Sequence, residues 1–329
     1  MPSSTDASAA AADPLGVLGT TRRVADRARL VRIDDAAVAR LAARLVAREV
    51  EPPTWRVWPH WRGDVEPTSN YVLVLDALNF SFWGDPKWRV SYDGRTVDGY
   101  WALAAALRRT IEEGVPILDP AALAEIDEAT VRHVFRGESE IPLLDGRIAN
   151  LREVGRGLLG AGGPFSTVVA RARHSAAQLV REIVGCFPSF DDVASYDGEP
   201  VRFYKRAQIL VSDLYGAFDG RGIGRLDDLD TLTAFADYKI PQILRAEGVL
   251  VYEPELAERV DRLVEIPPGD PAEVEIRAAT IWGCELLRRA LVEQGGRPLR
   301  AFEVDWLLWT LAQERAFAQP YHRTRTIFY

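Results

Sequence analysis

The chain has 329 residues, 47% of them hydrophobic and 27% charged, with a formal net charge of −8 and a pI near 5.3. That length and apolar content allow a large core, whereas the acidic balance argues against a protein that grips long stretches of nucleic-acid backbone, which needs a broad Lys/Arg surface. Two cysteines, Cys186 and Cys284, are too few for a disulfide framework and point to a cytoplasmic setting, and no apolar run approaches the roughly 18 residues of a membrane span.

Residues 1–30 are expected to form a flexible tail: the first 21 are Ala/Ser-rich, include Asp6 and Asp13, and lack the basic start and apolar stretch of a signal peptide. From 34 to 49, Val38, Leu41, Leu45 and Val46 recur at helical spacing behind Asp34-Asp35, which predicts an amphipathic helix. A connection rich in proline and tryptophan leads to Tyr71-Val-Leu-Val-Leu-Asp-Ala-Leu-Asn-Phe-Ser-Phe-Trp83. Its apolar opening predicts a buried strand, and Asp76, Asn79, Phe80, Phe82 and Trp83 at its exit suit a flat, hydrogen-bonding ligand: aromatic planes stack on a base while acid and amide read its edge. The alternative is an aromatic core corner with a satisfied Asp. Arg89 to Tyr92 before Asp93-Gly94 predicts a short strand entering a turn, so residues 71–97 form a small β-element.

The remainder reads as helical, with predicted helices over 99–113, 147–159, 166–184, 203–218, 229–235, 241–247, 254–263, 271–294 and 304–317. Neither an internal repeat nor a separating linker is visible, which predicts one mainly α domain over residues 31–329. On the helix from Phe203, Lys205, Ile209 and Asp213 follow at four-residue steps, hence along one ridge. Lys205 can touch a phosphate or sugar oxygen, or else belong to an ion pair involving Arg206 or Asp213. Asp237 stands just before a helix that has Pro241 in its first turn, where free N–H groups favour its ionised form. Such an anion can stabilise a sugar cation, or simply cap the helix. Arg277, among Glu273, Glu275 and Glu285, reads as a member of a structural ion-pair network. Asp305 beside Trp306 combines an edge reader with a stacking platform, as a guanine-like base needs.

Standard zinc spacings are absent, since His60, His133, His174 and His322 lie far apart. There is no Gly-x-Ser-x-Gly elbow and no phosphate-binding Gly-x-x-x-x-Gly-Lys-Ser/Thr loop, and Gly220-Arg-Gly-Ile-Gly224 follows a helix without a βαβ setting.

Eight segments carry a resemblance when taken in order: Leu75-Asp-Ala-Leu-Asn-Phe-Ser-Phe-Trp83, Gly99-Tyr-Trp101, Glu113-Gly-Val-Pro-Ile117, Phe187-Pro-Ser-Phe190, Phe203-Tyr-Lys-Arg-Ala-Gln-Ile-Leu-Val211, Thr233-Ala-Phe-Ala-Asp-Tyr-Lys-Ile-Pro-Gln242, Glu273-Val-Glu-Ile-Arg277 and the closing Tyr321-His-Arg-Thr-Arg. With these, the chain resembles the queuosine salvage proteins, the queuosine 5′-phosphate N-glycosylase/hydrolase family. The resemblance implies a mainly helical fold related to helix-hairpin-helix DNA glycosylases, and release of the 7-deazaguanine base queuine from queuosine 5′-phosphate without a cofactor. The implied partners are that small substrate and its product, with neither duplex nucleic acid nor membrane.

Position by position, the resemblance makes Asp237 the catalytic carboxylate with Phe235 as its neighbour at the ligand. His60 corresponds to a pocket histidine, and Asp305 and Trp306 to base-recognition positions. Thr310 stands where some relatives carry an acidic residue. Tyr204 and Lys205 fall in the Tyr-Lys-Arg motif, where Lys205 serves phosphate or ribose; Lys205, Arg206 and His60 are the cationic candidates for the 5′-phosphate. Cleavage is expected to pass through an oxocarbenium-like ribosyl state that needs a fixed anion near C1′. A DNA-repair glycosylase is the first alternative, and should show a basic face and a glycine-rich hairpin. A non-catalytic nucleotide-binding module, which would have no need of Asp237, is the second.

Overall fold

The computed structural model describes residues 13–329 and contains, among them, 14 α-helices and three two-stranded antiparallel pairings. No helix among the described residues is long and apolar enough to cross a membrane. The backbone groups into two compact units interleaved along the chain. Residues 13–53 with Asp192–Lys205 and Leu229–Arg325 form one, and Thr54–Asp191, Arg206–Asp228 and Thr326–Tyr329 form the other. One crossing falls at the first residues of the helix Lys205–Ala217, which is why no linker composition announces it.

The first unit is built on the long helix Pro271–Glu293. Pro271 sits in its first turn and the Asp270 carboxylate accepts the Ala272 N–H at 2.9 Å, so the sequence supplies both the fixed φ and the missing acceptor. The helices Val17–Arg27 and Asp35–Ala47 pack against it. Val31, Val38, Leu41, Leu45, Ile276 and Leu287 share one core there. Buried Glu275 accepts the N–H groups of Arg29, Leu30 and Val31 at 3.0, 2.7 and 3.1 Å and the Tyr196 hydroxyl at 2.8 Å, which offsets its loss of water. Those bonds lead into the strand Val31–Ile33, paired antiparallel with Leu250–Tyr252.

Of the expected tail, residues 1–12 lie outside the described residues, whereas Val17–Arg27 is a helix. Its Val17, Thr20, Thr21 and Val24 are buried, and Asp13 accepts the Gly19 N–H at 2.7 Å. The spacing of Val17, Thr21 and Val24 along one helical face was the available signal.

In the second unit, the expected strand at Tyr71 is instead part of the helix Val65–Ala77. Every residue from Thr68 to Ala77 is buried. A helix apolar all round shows no 3.6-residue stripe, and a short apolar run then cannot be told from a doubly covered strand. The predicted turn does form a hairpin, Arg89–Tyr92 with Arg95–Asp98, in which Asp93 and Gly94 have φ of 51° and 71°. Asp197-Gly198 closes a second hairpin in the same way, with φ of 51° and 80°, between Val193–Tyr196 and Glu199–Arg202 of the first unit. The predicted helix 166–184 is two helices, Phe165–Arg171 and Ala176–Cys186: Arg173 and His174 have positive φ, and Ser175 caps the second by accepting the Gln178 N–H.

Gly155, on the helix Leu144–Ala161, lets the short helix Pro120–Ala124 approach closely. An added Cβ would lie 2.2 Å from the Ala124 nitrogen and 2.6 Å from the Pro120 oxygen, both backbone atoms that cannot swing away. Gly155→Ala should therefore cost about 1–3 kcal/mol in denaturant unfolding. Gly160→Ala on the same helix meets nothing within 4 Å and should be neutral or slightly stabilising. Equal effects from both would refute the close approach.

Candidate active site

In the first unit the segment after the 3-10 turn Leu229–Thr231 stays irregular up to the helix Lys239–Ala246, although a helix was expected over 229–235. Tertiary partners take its backbone groups. The Asp305 carboxylate accepts the Phe235 N–H at 2.8 Å, and Arg277 Nε donates to the Ala236 carbonyl at 3.1 Å. Asp237 follows, half-buried, and its Oδ1 accepts the N–H groups of Lys239 and Ile240, each at 2.8 Å. The helix starts two residues before the expected position, with Pro241 in its first turn.

Those N–H bonds favour the carboxylate, as the sequence suggested, but they do not dominate. Burial raises the Asp237 carboxyl above its ordinary range, against the opposing pull of Lys205, then of the Ile240 and Lys239 N–H groups and the Lys239 charge. Lys205 is itself 4% exposed, and its N–H is accepted by Asp192 Oδ2 at 3.2 Å. Tyr204, just before it, adopts φ 47°, a left-handed conformation uncommon outside glycine. Buried Cys284 marks the same neighbourhood: burial, then the charges of Asp305 and Asp237, push its thiol well above the ordinary value. Both carboxylates thus act on the same buried thiol, which stays protonated.

Asp305 lies on the helix Ala301–Gln313, 4% exposed. Trp306 meets Phe302 edge-on with ring centroids 5.2 Å apart, and half-buried Thr310 follows one turn along. Asp237, Phe235, Lys205, Tyr204, Asp305, Trp306 and Thr310 therefore all belong to this unit. A separate cavity of about 340 Å³ in the unit, bordered by Leu232, Ile281, Glu285, Arg288 and Arg300, is lined by none of them. Among the described residues no group of three or more His, Cys, Asp or Glu side chains is placed to hold a metal ion.

His60, Asp76 and Asn79 belong to the second unit. His60 stacks on Trp55 with ring centroids 4.1 Å apart; its Nδ1 lies 2.6 Å from the Trp55 carbonyl, which requires the proton on Nδ1, and its Nε2 is 2.9 Å from the Tyr100 hydroxyl. Burial pulls its pKa down to about 4 although the Trp55 bond opposes this, so the ring is neutral at pH 7 and offers a phosphate no charge. Tyr100 also hydrogen-bonds Asp213, and burial followed by the charges of Asp213 and Asp76 holds its hydroxyl protonated. Asp76 is fully buried, with Asn79 Nδ2 3.3 Å from its Oδ1.

The exit of the helix Val65–Ala77 is gripped by two buried arginines. Arg147 donates to the carbonyls of Leu78 and Phe80, each at 2.6 Å; Arg206 donates to that of Ala77 at 2.7 Å and to that of Ser189. Arg206, counted among the phosphate candidates, thus serves the main chain, and its guanidinium lies over Phe190 at 4.6 Å. Composition could not show this, because a Lys-Arg pair looks the same whether it faces a ligand or a row of carbonyls.

The pattern of the family described as "Queuosine salvage protein" matches residues 59–329. A protein of Sphaerobacter thermophilus named queuosine 5′-phosphate N-glycosylase/hydrolase is 58% identical over 319 residues, covering 96% of this chain and 98% of that protein. Proteins of the same name from Bos taurus and Dictyostelium discoideum are 36% and 39% identical, covering 93% and 80% of this chain and 96% and 79% of theirs. The chain belongs to the queuosine salvage family.

Asp192, Tyr100 and, as partner of the Tyr100 hydroxyl, Asp213 were not among the site candidates read from the sequence. The signals were present: Asp192 follows Phe187-Pro-Ser-Phe190 by two residues, Tyr100 lies in the Gly99-Tyr-Trp101 motif, and Asp213 closes the ridge begun by Lys205.

The raised Asp237 pKa has a measurable consequence. Folding favours the protonated form, so its stabilising contribution is complete below the ordinary aspartate range and is lost as pH rises through the raised value. Asp237→Asn imitates the protonated side chain and should raise the Tm at about pH 8, the gain vanishing toward about pH 4. A lower Tm than wild type at pH 8 would mean that Lys205 and the helix N–H groups outweigh burial.

Proposed function

We propose that this protein hydrolyses the N-glycosidic bond of queuosine 5′-phosphate and releases queuine for salvage, acting in the cytoplasm on the mononucleotide and not on duplex nucleic acid. Membership of the family and the names of relatives that match over nearly the whole chain support the reaction. The observation that carries the mechanism is Asp237: a half-buried carboxylate whose Oδ1 is occupied by two N–H groups and whose charge interacts with Lys205.

Departure of the base with the bonding electrons leaves positive charge on C1′ and the ring oxygen of ribose; water adds to C1′ and its proton goes to the departing base, giving ribose 5-phosphate and queuine. A fixed anion is more strongly favoured by that state than by the neutral ground state, which is the condition for lowering the barrier. Because both N–H groups fall on Oδ1, Oδ2 is the oxygen we assign to face C1′. Burial has already removed water that would screen it.

Queuine carries carbon where guanine has N7, so the usual protonation site of a departing purine is missing. The leaving charge must be dispersed through the six-membered ring, and we assign Asp305, Phe235 and Trp306 to hold that ring, with Thr310 beside them. Asp305 fixes the Phe235 backbone, so base recognition and placement of Asp237 share one carboxylate. Tyr204 completes the proposed pocket of the first unit, and we keep His60, Asp76 and Asn79 as proposed substrate contacts carried by the second unit.

Asp237→Asn should retain substrate binding and lose base release by about 10²-fold or more, read by chromatography of queuine in a folded preparation. Turnover near that of the wild type would remove Asp237 from the mechanism.

Of the three cationic candidates for the phosphate we favour Lys205, since Arg206 is engaged by carbonyls and burial favours the neutral form of His60. The wild type should prefer queuosine 5′-phosphate to the nucleoside in kcat/KM, since contacts remote from the scissile bond help to position C1′. Lys205→Ala should hurt the phosphorylated substrate more and narrow the gap. Equal losses on both would assign Lys205 to the sugar or to Asp237 itself.

A further inference from the structure

We propose that Arg277 and Asp192 form a positioning pair that sets Asp237 and Lys205 for the cleavage step, an inference that rests on the reaction proposed above. The guanidinium of Arg277 is 2% exposed and makes contacts in three directions. Its Nη1 and Nη2 reach Asp192 Oδ1 and Oδ2 at 3.0 and 2.5 Å, a bidentate fork. Its Nε donates to the carbonyl of Ala236, which belongs to the peptide unit leading directly into Asp237. Its face lies 3.8 Å from the centroid of Phe203, and Glu273 Oε1 lies 3.4 Å from Nη1.

Asp192 carries the grip to Lys205. Its carbonyl accepts the N–H groups of Phe203 and Tyr204 at 3.0 and 3.1 Å, and its carboxylate accepts that of Lys205. The left-handed Tyr204 between them stores backbone strain, which persists only where surrounding contacts over-determine it. One rigid guanidinium thus fixes the main chain immediately before both residues whose charges meet at the proposed site. Lysine cannot replace it: it keeps the charge but lacks the planar fork and the separate Nε donor. Neither Arg277 nor Asp192 need touch substrate for a shift of Asp237 to slow the reaction, because misplacement by about 1 Å can cost about 10²-fold.

The test is a double-mutant cycle on the full chain with queuosine 5′-phosphate as substrate. Arg277→Lys and Asp192→Asn should each lower kcat by about 10²-fold while KM changes less than about threefold. In an Asp237→Asn background Arg277→Lys should add less than about threefold to the loss in kcat, because the group it displaces through the Ala236 carbonyl is already disabled. Multiplied losses in that double variant, a rise in KM with kcat preserved, or failure of both single variants to fold by circular dichroism would each overturn the proposal, the last by assigning the network to folding alone. A wild-type enzyme that releases no queuine would overturn the functional reading and this inference together, an outcome distinct from a failed cycle.

Discussion

A carboxylate is costly to keep where water is scarce, and the first unit of this protein is arranged around that cost at Asp237. Burial drives its carboxyl toward the neutral form. Opposing it are Lys205 and the two N–H groups at the start of the helix Lys239–Ala246. Nothing about a purely structural cap requires this arrangement. Asp34 also caps a helix, accepting the Ala37 N–H at 2.8 Å, but there that bond and the one from Arg32 outweigh burial and hold the carboxyl below its ordinary range. In the proposed reaction, a half-buried cap beside a buried lysine puts an anion where charge develops in the substrate.

The irregular segment before Asp237 follows from the same requirement. Helix formation there would direct the Phe235 N–H and the Ala236 carbonyl into intrahelical bonds. Asp305 and Arg277 take them instead, and the chain stays extended long enough to set Phe235 and Asp237 where they are. Charged side chains bonded to main-chain groups recur across the molecule, with Glu275 at Arg29–Val31, Arg147 at Leu78 and Phe80, and Arg206 at Ala77. Each satisfies backbone groups at the ends of regular elements or between them, which an apolar core alone cannot do. An acidic protein by total charge therefore spends several arginines on carbonyls within its interior.

That use of arginine also explains what could and could not be read from the sequence. Asp237, Asp305 and Lys205 were singled out by residue type, neighbours and a family resemblance, and all three lie in the first unit. Helices with one apolar stripe, such as Asp35–Ala47 and Gly99–Glu112, were legible from periodicity. The helix Val65–Ala77 was not, since burial on every side erased the stripe. The break at Arg173 and His174 was lost because each flanking piece continues a helical pattern, with only Ser175 to signal a new start. His60 and Arg206 were read as cations by residue type, yet burial neutralises one and carbonyls engage the other. Charge state and partner are properties of the tertiary environment, and no local window contains them.

Chemistry at the sugar is the centre of the account, and it is tested most directly by measuring base release from queuosine 5′-phosphate alongside guanosine 5′-phosphate and duplex DNA bearing damaged bases. The account predicts queuine from the first and no base from the other two. Release of bases from DNA, or the absence of queuine from a folded preparation, would contradict it.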